Sequence, residues 1–215
     1  MAERTPIDLS GIIDDIAVPD IRGALTDFQG NRQKSKDDLF AEHERKAWDK
    51  TVEARCDFTR RVRITRRSGL FFITLWQKSI MGRTLTDIKS DASMVTFFAE
   101  EVAALIKDIV GESMTKGDWC IITTPKRRHT VRNFATLISM AIAQRLHIPF
   151  YEDVCSCHTR QRVNADFTVN IVPWENNIVC FDDFVTTGQT LASMKRAFEP
   201  HAKNMIFFCG INNKL

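Results

Sequence analysis

The sequence predicts an α/β fold: a parallel sheet flanked by helices, preceded by an N-terminal extension of one helix and a β-hairpin. Three observations carry that expectation. From about residue 119, short apolar runs alternate with amphipathic segments, a spacing that joins parallel strands through crossover helices. Residues 90–110, SDASMVTFFAEEVAALIKDIV, place Val95, Phe98, Val102, Leu105, Ile106 and Ile109 three and four apart, with Gly111 at the stop. Residues 177–194, NIVCFDDFVTTGQTLASM, run from an apolar strand through a hydroxyl-rich turn straight into a helix.

Taken in order, residues 1–33 hold Pro6, Pro19, Gly11, Gly23 and Gly30 without a period, which suggests an irregular arm. Residues 34–55 contain neither Gly nor Pro and open on Ser35 followed by Asp37 and Asp38. They predict a long charged helix with a thin apolar stripe through Leu39, Phe40, Ala47 and Trp48. Residues 60–77, RRVRITRRSGLFFITLWQ, read as a β-hairpin with Gly69 in the turn. The helix and hairpin, 34–83, are expected to form a hood beside a core of 84–215. Within that core the pattern predicts strands at Trp119–Thr123, 149–154, 178–182 and 205–209, and helices at 130–146 and Gln189–Phe198.

Composition narrows the function classes. A chain of 215 residues buries about 70% of its unfolded surface, so neither a disulfide nor a metal is needed for stability. The net charge of +3 is uneven: residues 1–115 carry 18 Lys and Arg against 19 Asp and Glu, and residues 116–215 carry 12 against 8. That balance argues against a histone-like packing protein and points the second half toward an anionic ligand. No apolar run approaches the length of a membrane span. Cys56, Cys120, Cys155, Cys157, Cys180 and Cys209 form no CxxC pair, and MAERTPIDLSG lacks a basic segment followed by an apolar one. The expectation is a cytoplasmic protein with reduced thiols and no membrane partner.

The densest chemistry lies at 178–190. Ligands of parallel sheets bind beyond the carboxyl ends of the strands, which would put Asp182 and Asp183 at the rim and 186–190 at a helix N-terminus. Free N–H groups and the positive end of the helix dipole suit a phosphate monoester, and Gly188 permits close backbone approach. Two carboxylates beside a phosphate would repel it unless hydroxyls or a cation intervene. Between 60 and 67, Arg60, Arg61, Arg63, Arg66 and Arg67 leave two readings open: a solvated strand face, or a patch for nucleic acid or a protein partner.

The segment VCFDDFVTTGQTL resembles the phosphoribosyl pyrophosphate (PRPP) motif of type I phosphoribosyltransferases. The resemblance implies that Asp182 and Asp183 hold the ribose hydroxyls and that Thr186, Thr187, Gly188, Gln189 and Thr190 wrap the 5-phosphate. Residues 120–150 are similar to the pyrophosphate-loop region of the ComF branch, which assigns Thr124, Lys126, Arg127 and Arg128 to pyrophosphate. Residues 155–167, CSCHTRQRVNADF, resemble the loop that closes over PRPP, with Arg160 and Arg162 as catalytic arginines. Ile88-Lys89-Ser90-Asp91 is similar to the lysine–aspartate segment at the start of such cores. Two departures stand out: Asn133-Phe134-Ala135-Thr136 where the branch has Gly-Phe-Asn-Gln, and His147 where it ends the helix on Gly. The zinc module of that branch is absent, because only Cys56 lies in the N-terminal region, and Cys155, Cys157 and His158 lack structural-zinc spacing.

The resemblance implies a homodimeric, Mg2+-dependent phosphoribosyltransferase. It would move the 5-phosphoribosyl group from PRPP to a nitrogen acceptor of nucleobase type and release pyrophosphate. Magnesium would be held through PRPP and water near Asp182 and Asp183. The alternative is a PRPP- or nucleotide-binding sensor or accessory protein with little turnover, in a DNA-uptake, regulatory or phage-defence pathway.

Overall fold

A computed structural model describes residues 54–126, 132–157 and 166–214, which fall within one compact unit, Lys50–Leu215. The predicted arm, residues 34–53 of the predicted helix, and Arg127, Arg128, His158, Arg160 and Arg162 lie outside the described residues. In spatial order the central sheet comprises β2 (Arg63–Arg67), β3 (Leu70–Gln77), β10 (Asn204–Asn212), β9 (Asn177–Val185), β5 (Trp119–Thr123) and β6 (Phe150–Tyr151). Every neighbouring pair is parallel except β2–β3. The expected parallel sheet is therefore present, with one antiparallel edge.

Helices cover both faces. On one side α2 (Ser93–Val110) and α3 (Phe134–Leu146) bury Phe98, Val102, Ile106, Ile138 and Ile142 against Val179, Phe181 and Phe208. On the other, α4 (Gln189–Phe198) buries Leu191, Met194 and Phe198 against Ile178, Cys180, Phe207 and Cys209. A short ribbon, β7 (Cys155–Cys157) paired antiparallel with β8 (Phe167–Val169), lies on that second side and takes both ends of the loop expected at 155–167, whose residues 158–165 lie outside the described residues. No described helix is long and apolar enough to cross a membrane.

Four sequence expectations change. The hairpin expected to stand apart as a hood joins the sheet, because β3 is an apolar strand whose natural partner is β10: Ile73 faces Phe208 and Gln77 faces Asn212. Arg55, at the end of the predicted helix, belongs to β1 (Arg55–Cys56), which pairs with β4 (Arg83–Thr84). The strand at 149–154 shortens to Phe150–Tyr151, since the chain turns at Glu152 and Asp153, where Asp153 takes φ 55°. The helix at 130–146 begins at Phe134, where the Asn133 side chain accepts from Thr136 N at 2.9 Å, and ends on His147 at φ 55°. That left-handed angle is the one a glycine reaches without strain.

The sheet also bends at one level. The register runs Cys209 with Thr74 and with Asp182, then resumes at Ile211 with Trp76 and with Phe184, so Leu75, Gly210 and Asp183 are skipped together. Residues three apart on a regular strand face opposite sides. Here Phe181 and Phe184, Phe208 and Ile211, and Ile73 and Trp76 each pack into the same apolar cluster, so alternation breaks in all three strands. Gly210 makes the bend possible: a Cβ there would lie 2.8 Å from the Asp183 carbonyl oxygen and 2.8 Å from Phe98 Cε1.

Cys56, Cys120, Cys155, Cys180 and Cys209 are buried. Burial pushes the thiols up, to about 11 for Cys56 and about 12 for Cys120 and Cys155, and well above the ordinary value for Cys180 and Cys209.

Gly210→Ala is expected to destabilise the protein by about 1–3 kcal/mol, the usual cost of overpacking. Urea denaturation should show the midpoint falling; a midpoint equal to that of the wild type would mean that the bend is not held by this contact.

Candidate functional site

The turn after β9 is shaped from outside itself. Gly188 sits at φ 79°, in the left-handed region, and opens α4. A Cβ at Gly188 would lie 3.3 Å from Phe72 Cε1 and 3.4 Å from Arg67 Cβ, so the β2–β3 turn packs directly on the threonine turn. Arg67 donates from one guanidinium nitrogen to the Thr186 carbonyl at 2.7 Å and to Asn212 Oδ1 at 2.8 Å. The Ser68 hydroxyl donates to the Thr187 carbonyl at 3.0 Å. Thr186 and Thr187 remain exposed, and Thr187 Oγ1 accepts from Gln189 N at 3.4 Å.

Behind the turn lies a buried polar chain. Asn212 Nδ2 donates to Gln77 Oε1 at 2.8 Å, and Gln77 Nε2 donates to Thr74 Oγ1 at 2.9 Å. Thr74, Gln77 and Asn212 are all buried, and each gains the partners that burial demands. The arginines read from the sequence as one patch thus separate. Arg67 turns inward, Arg60 pairs with Asp108 at 2.9 Å, Arg61 lies 3.5 Å from Asp57, and Arg66 stands 5.4 Å from the Phe71 ring centroid. Arg63 is exposed.

The acid pair diverges. Asp182 Oδ1 accepts from the Thr124 hydroxyl at 3.2 Å and from Asp183 N at 3.1 Å, which brings the predicted Thr124 to the acid pair. Asp183 does not reach the solvated rim expected for it, because it belongs to the bent part of β9 and is buried. Its Oδ2 pairs with Lys89 Nζ at 2.8 Å, and Oδ1 accepts from Phe184 N at 2.9 Å. Lys89 Nζ also lies 4.5 Å from the Phe184 ring centroid. Lys89 is held there by α1 (Leu85–Ser90), whose first turn is capped by Thr84, and by the Arg83–Asp91 ion pair at 2.8 Å just past its end.

The described cations beside the turn after β5, Lys126 and Arg132, are matched within the protein. Lys126, expected at a pyrophosphate, bonds Glu152 Oε1 at 2.5 Å and Asp153 Oδ2 at 3.2 Å, and Arg132 bonds Glu152 Oε2 at 3.1 Å. Burial opposes the charge on Lys126, yet the hydrogen bonds it donates to Glu152 and Asp153, with the attraction of those carboxylates, outweigh it and raise the amine above its ordinary value. The Lys126 hydrogen bond, against a smaller burial effect, holds the Glu152 carboxyl below its own. Glu152, Asp153, Arg132, Lys89, Arg67, Ser68 and Asn212 are site neighbours to which the sequence assigned no such role. For Lys89 the Ile88–Asp91 similarity was a signal; for Asn212 the polar end of an apolar strand was the only one.

No family model matches the chain, and no curated protein is significantly similar to it. Solved structures that resemble it include phosphoribosyltransferases. Adenine phosphoribosyltransferase of Saccharomyces cerevisiae is 14% identical over 70% of this chain and 83% of that one, with a TM-score of 0.39. Orotate phosphoribosyltransferase of Aeropyrum pernix is 15% identical over 60% and 63%, with a TM-score of 0.36. A hypoxanthine-guanine phosphoribosyltransferase of Bacillus anthracis is 17% identical over 56% and 66%, with a TM-score of 0.39.

Two measurements probe these charges. Asp183→Asn should lower stability by about 1–2 kcal/mol, as expected for losing a charged hydrogen-bond partner that is mostly buried. An unchanged denaturation midpoint would remove Lys89–Asp183 as a structural contact. Glu152 contributes stability fully above the ordinary glutamate value of 4.5, and loses it as pH falls through its lower native value. Glu152→Gln should therefore flatten the loss of stability as pH falls below about 4.5, measured by urea midpoints.

Proposed function

We propose that this chain is a Mg2+-dependent phosphoribosyltransferase that binds PRPP and transfers its 5-phosphoribosyl group to a nitrogen acceptor of nucleobase type, releasing pyrophosphate. The observation that carries this reading is the threonine turn. Its two carbonyls are held back by Arg67 and Ser68, and it opens α4 through a left-handed glycine next to the Asp182 strand end. Backbone N–H groups at a helix start are a ready anion site. Asp182 reaches the Thr124 hydroxyl, so a carboxylate and a hydroxyl stand together where ribose hydroxyls would follow the 5-phosphate.

Magnesium fits the donor set. Asp182 offers a partly exposed hard oxygen, and this ion commonly takes one or two carboxylates with the remainder from substrate phosphates and water. Among the described residues no group of three His, Cys, Asp or Glu side chains is placed to hold a metal ion. When bound, the cation neutralises charge on the pyrophosphate. The protein's own residues do the rest: the threonine turn orients the 5-phosphate and Asp182 fixes the ribose. Arg160 and Arg162 are assigned to the loop that excludes water from the reacting centre.

A second reading draws on the basic turn. Lys126, one of the groups expected to draw off pyrophosphate, already holds two carboxylates, and the neighbouring Arg132 shares one of them. That favours a PRPP-binding sensor or accessory protein with little turnover.

Calorimetric titration of PRPP with Mg2+, followed by pyrophosphate release across a panel of nucleobases, separates the two. Saturable binding with base-dependent release is expected for the enzyme. Binding without release from any base leaves the sensor, and absence of PRPP binding ends both readings.

A further inference from the structure

The peptide geometry of the threonine turn says more than its sequence. A trans peptide is planar, with its C=O and the following N–H pointing in opposite directions. No described peptide bond is cis. The Thr186 carbonyl points to Arg67 and the Thr187 carbonyl to Ser68. It follows that the N–H of Thr187 and the N–H of Gly188 point away from the hairpin, on the opposite side of the turn. Left to itself, a turn of this kind can rotate its peptide planes and present carbonyl oxygens, which repel a phosphate, in place of N–H groups. Gly188, free to adopt many backbone angles, makes that rotation easier.

We propose that Arg67 and Ser68 are positioning residues that clamp the threonine turn with both peptide planes set for an anion, so that 5-phosphate affinity depends on the β2–β3 hairpin. The proposal rests on the reading of 186–190 as a 5-phosphate site. The clamp is anchored on its own side. Arg67 is fixed by Asn212, Asn212 by Gln77, and Gln77 by Thr74 and by the Arg61 carbonyl at 3.1 Å. One guanidinium nitrogen serves both Thr186 and Asn212, so the turn is tied to the end of β10 through a single atom. The rest of the turn is tied by the backbone, since Asn213 N donates to the Val185 carbonyl at 2.7 Å. Arg67 thereby leaves the surface arginine patch and joins the site without touching the ligand.

The test compares three probes on the full chain: ribose 5-phosphate, PRPP with Mg2+, and pyrophosphate with Mg2+. Arg67→Ala should weaken ribose 5-phosphate and PRPP by a common factor of about ten, and Ser68→Ala by about three. Pyrophosphate, which has no 5-phosphate, should bind both variants as it binds the wild type. Arg67→Lys should recover part of the loss, because a single ammonium nitrogen has donors for both acceptors. Ser68 is exposed, so its variant folds even if Arg67→Ala does not. Variants that bind ribose 5-phosphate as tightly as the wild type, or that lose pyrophosphate in the same proportion, overturn the clamp while leaving the phosphate site standing. A wild-type chain that binds neither ribose 5-phosphate nor PRPP overturns the phosphate site and the clamp together.

Discussion

The contact of Gly210 with the Asp183 carbonyl and the Phe98 ring is the constraint on which the upper part of the sheet depends. Only a residue without a Cβ admits that approach. Three neighbouring strands break alternation at this level, and the break decides what each strand presents beyond it. Asp183 is drawn under cover toward Lys89. Gln77 and Asn212 meet in the interior, and the turn after Val185 comes to rest against the hairpin. Buried amides arranged this way are stabilising only while every partner is present. The bend and the polar chain therefore stand or fall together.

A second theme is how the charges are arranged. The positive excess of the second half suggests a surface waiting for an anion, yet among the described residues three cations near the site are already matched. Lys89 has Asp183, Lys126 has Glu152 and Asp153, and Arg132 shares Glu152. A phosphate at the proposed site would also meet oriented backbone dipoles, which act at short range and are pre-set by the fold.

Much of the fold was legible because periodicity reports which face of an element is buried. The α2 stripe, the β9 strand and the glycine before α4 all follow from local pattern. The errors share a different cause. β3 reads as half of a hairpin from its turn chemistry, and its parallel partner β10 lies more than a hundred residues away, beyond the reach of any local signal. Asp183 reads as a rim residue because strand length was judged from the apolar run alone; the pairing of Phe184 with Ile211 extends the strand past the acids. Arg67 reads as one of five similar arginines, and only the tertiary fold separates it from them. The strand–turn–helix order around the threonine turn was legible in the sequence, whereas the direction of its peptide planes was not.

The buried thiols have a practical meaning. Cys120, Cys180 and Cys209 sit one each on β5, β9 and β10, and Cys155 sits on the ribbon across from them. A thiol-specific alkylating reagent attacks the thiolate, which these sites withhold both by exclusion and by their raised pKa. Each cysteine is thus a native reporter of the opening of its own strand. Mass-resolved labelling rates would read local unfolding across the sheet, strand by strand, in the unaltered chain.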